Sequence, residues 1–406
     1  MNRSNFHVAL LCTAAFVLMA QAPSASAVNI TLTTPIAPGD YIAMAEDATT
    51  GRTHGLHIRP SALPAGGVGT ILSSHQTAAA TENGFFVGDF NVKTGDYFYI
   101  SGDNGTNQGH ELRVIRAGQT TSTLLIPSLA VAGVSTSDFR DVAVDTSGNV
   151  YTINANAQLL KFTSLGGDLY NSGAVILGAG LSAPGAGGSL EITNDDRFLV
   201  FADAVTGPLR SINLTTNTVV TSLANGNGID RVEDIAIDYT NGLDINGNLR
   251  LYATNINDLD GADPETRRFV TELAFNPTTG VITNPFAPAS GNLTGIAADT
   301  RAALGASSIP DHVAFDLNGN LIAFVRSNVN PDIKAFSQTL LDSVTVTPLN
   351  YATQGVSVFN ESARNITAVR DLDIAPTPVT VPEPTTGLLS LAGLAMLAGR
   401  VRRSRA

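Results

Sequence analysis

The chain has 406 residues, 23 basic and 35 acidic, for a net charge of −12, and only 14% of its side chains are charged. One Cys rules out a disulfide scaffold, the low charge rules out a coiled coil, and the acidic balance rules out a cationic nucleic-acid binder. No nucleic acid is therefore expected as a partner, and the length admits one large all-β domain as readily as two smaller ones.

The N-terminus reads Met1-Asn2-Arg3, then an apolar run from Val8 to Ala20, then Ala25-Ser26-Ala27. A basic start, an apolar core and a small-x-small site form a secretory signal peptide over 1–27, with signal peptidase cutting after Ala27. Cys12 lies inside the apolar run and follows Leu11, where lipidation would require a small residue. The exported chain then has no Cys, and its fold must stand on packing alone.

From residue 28 to 376 the sequence is short β-type runs broken by Gly, Asn, Asp and Thr, with no helical periodicity sustained over three turns. Asp40 to Glu46, His54 to Arg59 and Gly69 to Ser73 read as three strands. His54 and His57, three apart, point to opposite faces of their strand, so they do not chelate one metal and are expected at the surface.

One unit then recurs. Its clearest copy is Arg140-Asp141-Val142-Ala143-Val144-Asp145-Thr146-Ser147-Gly148-Asn149-Val150-Tyr151. It returns as Glu233 to Asp238 with Gly247-Asn248-Leu249, as Asp311 to Leu321, and as a half-copy from Arg370 to Ala375. Weaker copies begin at Gly88 and Ser189. Val142 and Val144 face one side of a strand and the small Ala143 the other, which suits an inner strand wedged between neighbouring sheets. Asp145 to Asn149 is a hairpin turn, with Asp satisfying turn N–H groups and Gly supplying positive φ.

Repeat starts near 85, 140, 189, 232, 311 and 369 give spacings of 55, 49, 43, 79 and 58, the longest holding an insertion around 255–265 or 287–308. Periods near 40–50 residues with four strands each mark a β-propeller. The last copy stops after one strand, and the three N-terminal strands supply what it lacks. The expected fold is therefore all-β: a six-bladed propeller with Velcro closure by both termini. A two-sheet sandwich is the alternative.

The repeats, above all the copy at 141–151, resemble the six-bladed propellers of the NHL and gluconolactonase-like superfamily. Aligning the copies places Asp89, Asp141, Ser189, Asp234, His312 and Asp371 at the start of each inner strand, where a closed ring brings them to one channel mouth. Carboxylates plus one imidazole suit Ca²⁺ or another divalent cation. The resemblance implies a catalytic metal in the channel, but the Glu, Asn and Asp ligands of such enzymes do not map onto this ring. The other reading is structural, with Arg140 and Arg370 neutralising their neighbours. Asp258, Asp260, Asp263 and Glu265 form a dense acidic loop, which is either a calcium loop outside the EF-hand pattern or a solvated loop. Gly178 to Ala183 spells part of a dinucleotide fingerprint, but Pro184-Gly185 follows instead of a helix. No Gly-x-Ser-x-Gly elbow, P-loop or His-Glu-x-x-His motif occurs.

At the C-terminus, Val381-Pro382-Glu383-Pro384 precedes an uncharged stretch, 385–399, and then Arg400, Arg402, Arg403 and Arg405. As a helix the stretch spans about 23 Å, short of a bilayer core of ~30 Å, and the arginines hold its end on the cytoplasmic side. The three parts in this order resemble the PEP-CTERM sorting signal over 377–406. That resemblance implies processing by exosortase, a membrane enzyme of Gram-negative bacteria that make exopolysaccharide, and delivery to the envelope or extracellular matrix. An ordinary membrane anchor is the other reading. Removing both ends takes away five arginines and one glutamate, leaving 18 basic and 34 acidic residues and a net charge of −16.

The function expected is an exported surface propeller that binds a ligand or partner, with exopolysaccharide or a surface protein as candidates. The alternative is a metal-dependent hydrolase of lactone or phosphoester type, with the Asp ring holding the ion.

Overall fold

The computed structural model describes residues 30–47, 53–60, 70–76, 87–101, 110–127, 129, 139–154, 158–177, 188–203, 209–223, 232–256, 268–284, 295–297, 309–326, 332–343, 349–360 and 366–378. Both terminal signals, the acidic loop from Asp258 to Glu265 and the glycine-rich 178–187 lie outside the described residues, as do the side chains of Arg140 and Arg370.

Six antiparallel sheets form six blades, each beginning with an inner strand. The inner strands are Ile366–Ile374 (blade I), Val87–Phe90 (II), Phe139–Val144 (III), Gly188–Ile192 (IV), Val232–Asp238 (V) and Ile309–Phe315 (VI). In blade I the C-terminal strand pairs with Tyr41–Asp47, and Thr53–Arg59 and Thr70–Gln76 complete the sheet. Ala43 pairs with Leu372 and Tyr41 with Ile374, so the expected closure by both termini is the observed one. Six separate sheets exclude the sandwich.

Why the ring closes is visible in the core, which consists of six clusters, one at every blade junction. Ile42 and Met44 meet Phe90 and Tyr97 between I and II. Val142 and Val144 meet Phe98 and Leu112 between II and III, while Ala143 turns to Leu190 and Phe201 between III and IV. Ile235 and Ile237 meet Val200 and Leu209 between IV and V, while Ala236 faces Val313 and Leu321 between V and VI. Leu372 meets Ile322 and Phe324 between VI and I. The inner strands of blades III and V thus have a bulky and a tight face, both buried. Among the described residues the apolar surface is spent between sheets rather than in one central core.

At the far ends of the inner strands the hairpins repeat one turn chemistry. Asp145 Oδ1 accepts from Ser147 N at 3.0 Å and Asn149 N at 2.8 Å. Asp244 and Asp316 do the same with Asn246 and Asn248, and with Asn318 and Asn320. Gly148, Gly247 and Gly319 take φ values of 79°, 78° and 74° there, conformations that exclude most side chains.

The long fifth repeat carries an added strand. Gly295–Ala297 pairs with Arg268–Phe275, and Leu349–Asn350, reached from blade VI, pairs parallel to it. Among the described residues no helix is long and apolar enough to cross a membrane; residues 385–399 lie outside them.

One expectation is corrected. His54 and His57 are both buried, because Thr53–Arg59 is flanked by strands on both edges and covered on its faces. His57 Nε2 lies 2.7 Å from Asp40 Oδ2, and Arg59 completes the cluster with Nε and Nη2 each 2.8 Å from that carboxylate. Burial opposes ionisation of Asp40, but Arg59, His57 and the Ala37 N–H outweigh it and hold the carboxyl well below the usual range.

Because closure depends on packing between blades VI and I, Leu372→Ala is expected to cost about 2–4 kcal/mol. Urea unfolding should show a lower midpoint with an unchanged slope. A separate early transition for blade I would mean that the closing strand is not part of the cooperative unit.

Candidate functional site

The inner strands run side by side around an axial cavity of about 210 Å³. Each is an unpaired sheet edge, and every second backbone N–H points into the channel without a strand partner. The aligned carboxylates answer this need from within the strands, Asp89, Asp141 and Asp234 at the third residue and Asp371 at the sixth, rather than at the strand starts the repeat alignment suggested. Asp89 Oδ1 accepts from Phe90 N and its Oδ2 from Val144 N of blade III, each at 2.7 Å. Asp141 accepts from Val142 N at 2.7 Å and from Leu190 N of blade IV at 2.5 Å. Asp234 accepts from Ile235 N and from Val313 N of blade VI, each at 2.8 Å. Asp371 accepts from Gly88 N of blade II. A carboxylate at this position therefore caps its own strand and staples the next blade.

Ser189 occupies the blade IV position, and its hydroxyl donates to Asp234 Oδ1 at 2.7 Å. His312 stands just outside the cavity lining, with Nδ1 3.3 Å from Asp234 Oδ2. The six aligned positions do gather at one end of the channel. The described oxygens are turned onto backbone N–H groups, however, and among the described residues no three His, Cys, Asp or Glu side chains stand where they could hold a metal ion. The donor set does not fit the catalytic metal that the resemblance implies.

Two acidic side chains escaped the sequence reading. Asp373 and Glu191 lie two residues beyond Asp371 and Ser189 on the same strand faces, and both line the cavity. The signal for them was alternation alone: a position two residues on shares the face of the ring residue. Asp316 lines the cavity as well, which makes seven acidic residues and no Lys or Arg. Tyr97, fully buried, packs against Gly88 so closely that a Cβ there would lie 2.0 Å from its hydroxyl.

Crowded carboxyls beside a cavity with no Lys or Arg resist ionisation. Burial, reinforced by the charge of Asp371, pushes Asp89 up to about 8. Burial pushes Asp371 up to about 7, moderated by His312 and the Gly88 N–H. Asp141, Asp373 and Glu191 are pushed up as well, by burial first and neighbouring carboxylates second. Burial and the charges of Asp373 and Asp371 also raise the Tyr97 phenol.

No protein-family model and no curated protein matches the chain. Among solved structures it is similar to a luciferin-regenerating enzyme, at 14% identity over 69% of this chain and 78% of that one, with a TM-score of 0.39. It is also similar to a Bacteroides uniformis protein named as a 6-phosphogluconolactonase, at 12% identity over 82% of this chain and 99% of that one, with a TM-score of 0.43. Likeness at this level carries no argument about this chain. What the chain's own geometry defines is a six-bladed β-propeller with an acid-lined axial cavity.

Asp89 and Asp371 have folded pKa values above their unfolded ones, so the stability they confer is complete below about 4 and is lost as pH rises through about 7–8. Asp40 acts oppositely, its contribution being present above about 4 and lost as pH falls further. Thermal unfolding should therefore peak near pH 4–6 and lose at least about 5 °C by pH 8.5. Asp89→Asn should flatten the alkaline limb; a limb unchanged in that variant would remove Asp89 as its cause.

Proposed function

We propose that the protein is an exported, envelope-associated propeller, sorted through its C-terminal signal, that binds a polyhydroxy ligand in the axial cavity and releases it unchanged. The ligand class is the neutral or amino sugars of an exopolysaccharide. The observation that carries this reading is the cavity lining of seven acidic side chains and no Lys or Arg. Carboxyls with pKa values near 7–8 offer O–H donors as well as acceptors at neutral pH, the mixture that sugar hydroxyls require. Tyr239, Asn194 and Thr240 add further polar groups at the far end. An anionic ligand would meet only repulsion. The absence of Trp leaves hydrogen bonding, rather than ring stacking, as the means of recognition.

The arrangement of Ser189, Asp234 and His312 argues against acyl transfer. The serine hydroxyl goes to a carboxylate, a weak base already committed to two backbone N–H groups, and the imidazole faces that carboxylate instead of the serine. The metal-dependent hydrolase remains the second reading, and it requires ring oxygens to exchange backbone N–H groups for an ion. The acidic loop from Asp258 to Glu265 would serve either reading as a structural calcium site.

Calorimetric titration of the purified chain with neutral, amino and uronic oligosaccharides at pH 6 and 8.5 tests the proposal. Neutral or amino sugars should bind, and more weakly at pH 8.5 as the donor protons leave. Asp373→Ala should weaken binding at least about tenfold. Failure of all three sugar classes to bind would overturn it. Stoichiometric bound metal, together with lactone or phosphoester turnover abolished by Asp141→Asn, would establish the hydrolase instead.

A further inference from the structure

Among the described residues eight large apolar side chains are exposed, and six of them fall at one end of the propeller. Leu124 and Val175 lie on outer strands, whereas Leu165, Leu169, Leu243, Ile245, Val281 and Leu317 sit in connections after first or third strands. In an antiparallel meander those turns share one end of the blade, here the end where the inner strands finish. The chain also leaves at that end, through Pro376 to Pro378, with Pro378 packed at Gly95 in the first turn of blade II.

The tips are built to be stiff. Asp244 and Asp316 spend their carboxylates on turn N–H groups, which leaves the next residue at the apex facing outward. That residue is Ile245 in blade V, fully exposed, and Leu317 in blade VI, 41% exposed, where it also borders the end of the axial cavity. In blade III a small hairpin, Ser164–Gly166 with Leu169–Tyr170, projects Leu165 and Leu169, which are 65% and 67% exposed. The hairpin is clamped by Arg116 to Asp168 at 2.5 Å, by Tyr170 Oη to Gly148 O at 2.9 Å, and by Ser164 N to Asn149 Oδ1 at 3.0 Å. Six outward apolar groups on rigid turns of one face need a partner.

We propose that this face rests on the lipid bilayer, with the apolar tips entering the headgroup boundary while the chain is held by its C-terminal segment. The inference rests on the reading of 385–399 as a membrane-inserted sorting segment. From Pro378 to Thr385 is seven residues, no more than about 25 Å even when extended. A bilayer holding that segment therefore lies within reach of the tips at high effective concentration. The body carries a net charge of −16, so the attraction is apolar, not electrostatic, and neutral lipid is the favoured surface.

The test uses the full chain with Cys12→Ser, which removes its single thiol, on phosphatidylcholine vesicles carrying a lipid-bound quencher. An environment-sensitive fluorophore is placed at Leu169→Cys, Ile245→Cys or Leu317→Cys, at Ser390→Cys in the tail, and at Thr123→Cys on the outer strand Ser122–Ile126. Emission from the three tips should shift to the blue and be quenched at least twofold, with the Thr123 label unaffected. Tips that stay in water while the Ser390 label is quenched would overturn the proposal and leave the anchor standing. Quenched tips with an unquenched Ser390 label would uphold the lipid-facing surface and overturn the anchor. A blue shift that grows with protein concentration without vesicles would assign the face to a second copy of the chain and overturn the bilayer.

Discussion

A β-propeller has an unavoidable weakness at its axis: every blade ends in a strand whose inner edge has no partner. In this protein that edge is closed by carboxylates. Asp89, Asp141, Asp234 and Asp371 each lie within an inner strand, and each accepts from a backbone N–H of the blade that follows around the axis. The bonds are charge-assisted when the group is ionised, and they are made where water is scarce, so they are stronger than their exposed counterparts would be. The six apolar junctions set the spacing of the blades; the acidic staples fix how neighbouring inner strands slide against each other.

The same placement changes what these groups can do chemically. A carboxylate accepting one N–H from its own strand and one from the next has little left with which to grip an ion. The crowding that joins the staples to Asp373 and Glu191 makes several of them weak acids rather than charges. The cavity is accordingly lined by carboxyls that hold their protons to unusually high pH.

Much of the architecture was legible in the chain itself. The alternation Val142-Ala143-Val144 announced two buried faces of unequal depth, and each face meets a different neighbour. The turn Asp145 to Asn149 announced its own hydrogen bonds, and the orphan copy at 370–375 announced that the N-terminus must complete it. The burial of His54 and His57 was not legible, because it depends on the strands that flank Thr53–Arg59 and, for His57, on the Asp40 carboxylate that Arg59 shares, a tertiary fact. Nor could spacing reveal that the ring oxygens face backbone. Composition showed which groups gather at the axis, while the unpaired N–H that claims each of them exists only once the strand has become an edge. Asp373 and Glu191 lay one step further down the same alternation, within reach of the reading but outside the repeat that prompted it.

The closing strand has a bearing on how the molecule comes into being. Gly88 and Asp371, which meet at the seam between blades II and I, are 283 residues apart in the chain. Blade I cannot be assembled until synthesis has delivered Ile366–Ile374. Until then the first three strands wait with a bare edge and the ring is a horseshoe. Contacts so distant in sequence form slowly, and an open ring exposes both strand edges and apolar faces. The strand whose arrival ends that interval is the one that brings Leu372 onto Ile322 and Phe324, so the last apolar junction and the last staple form in the same step.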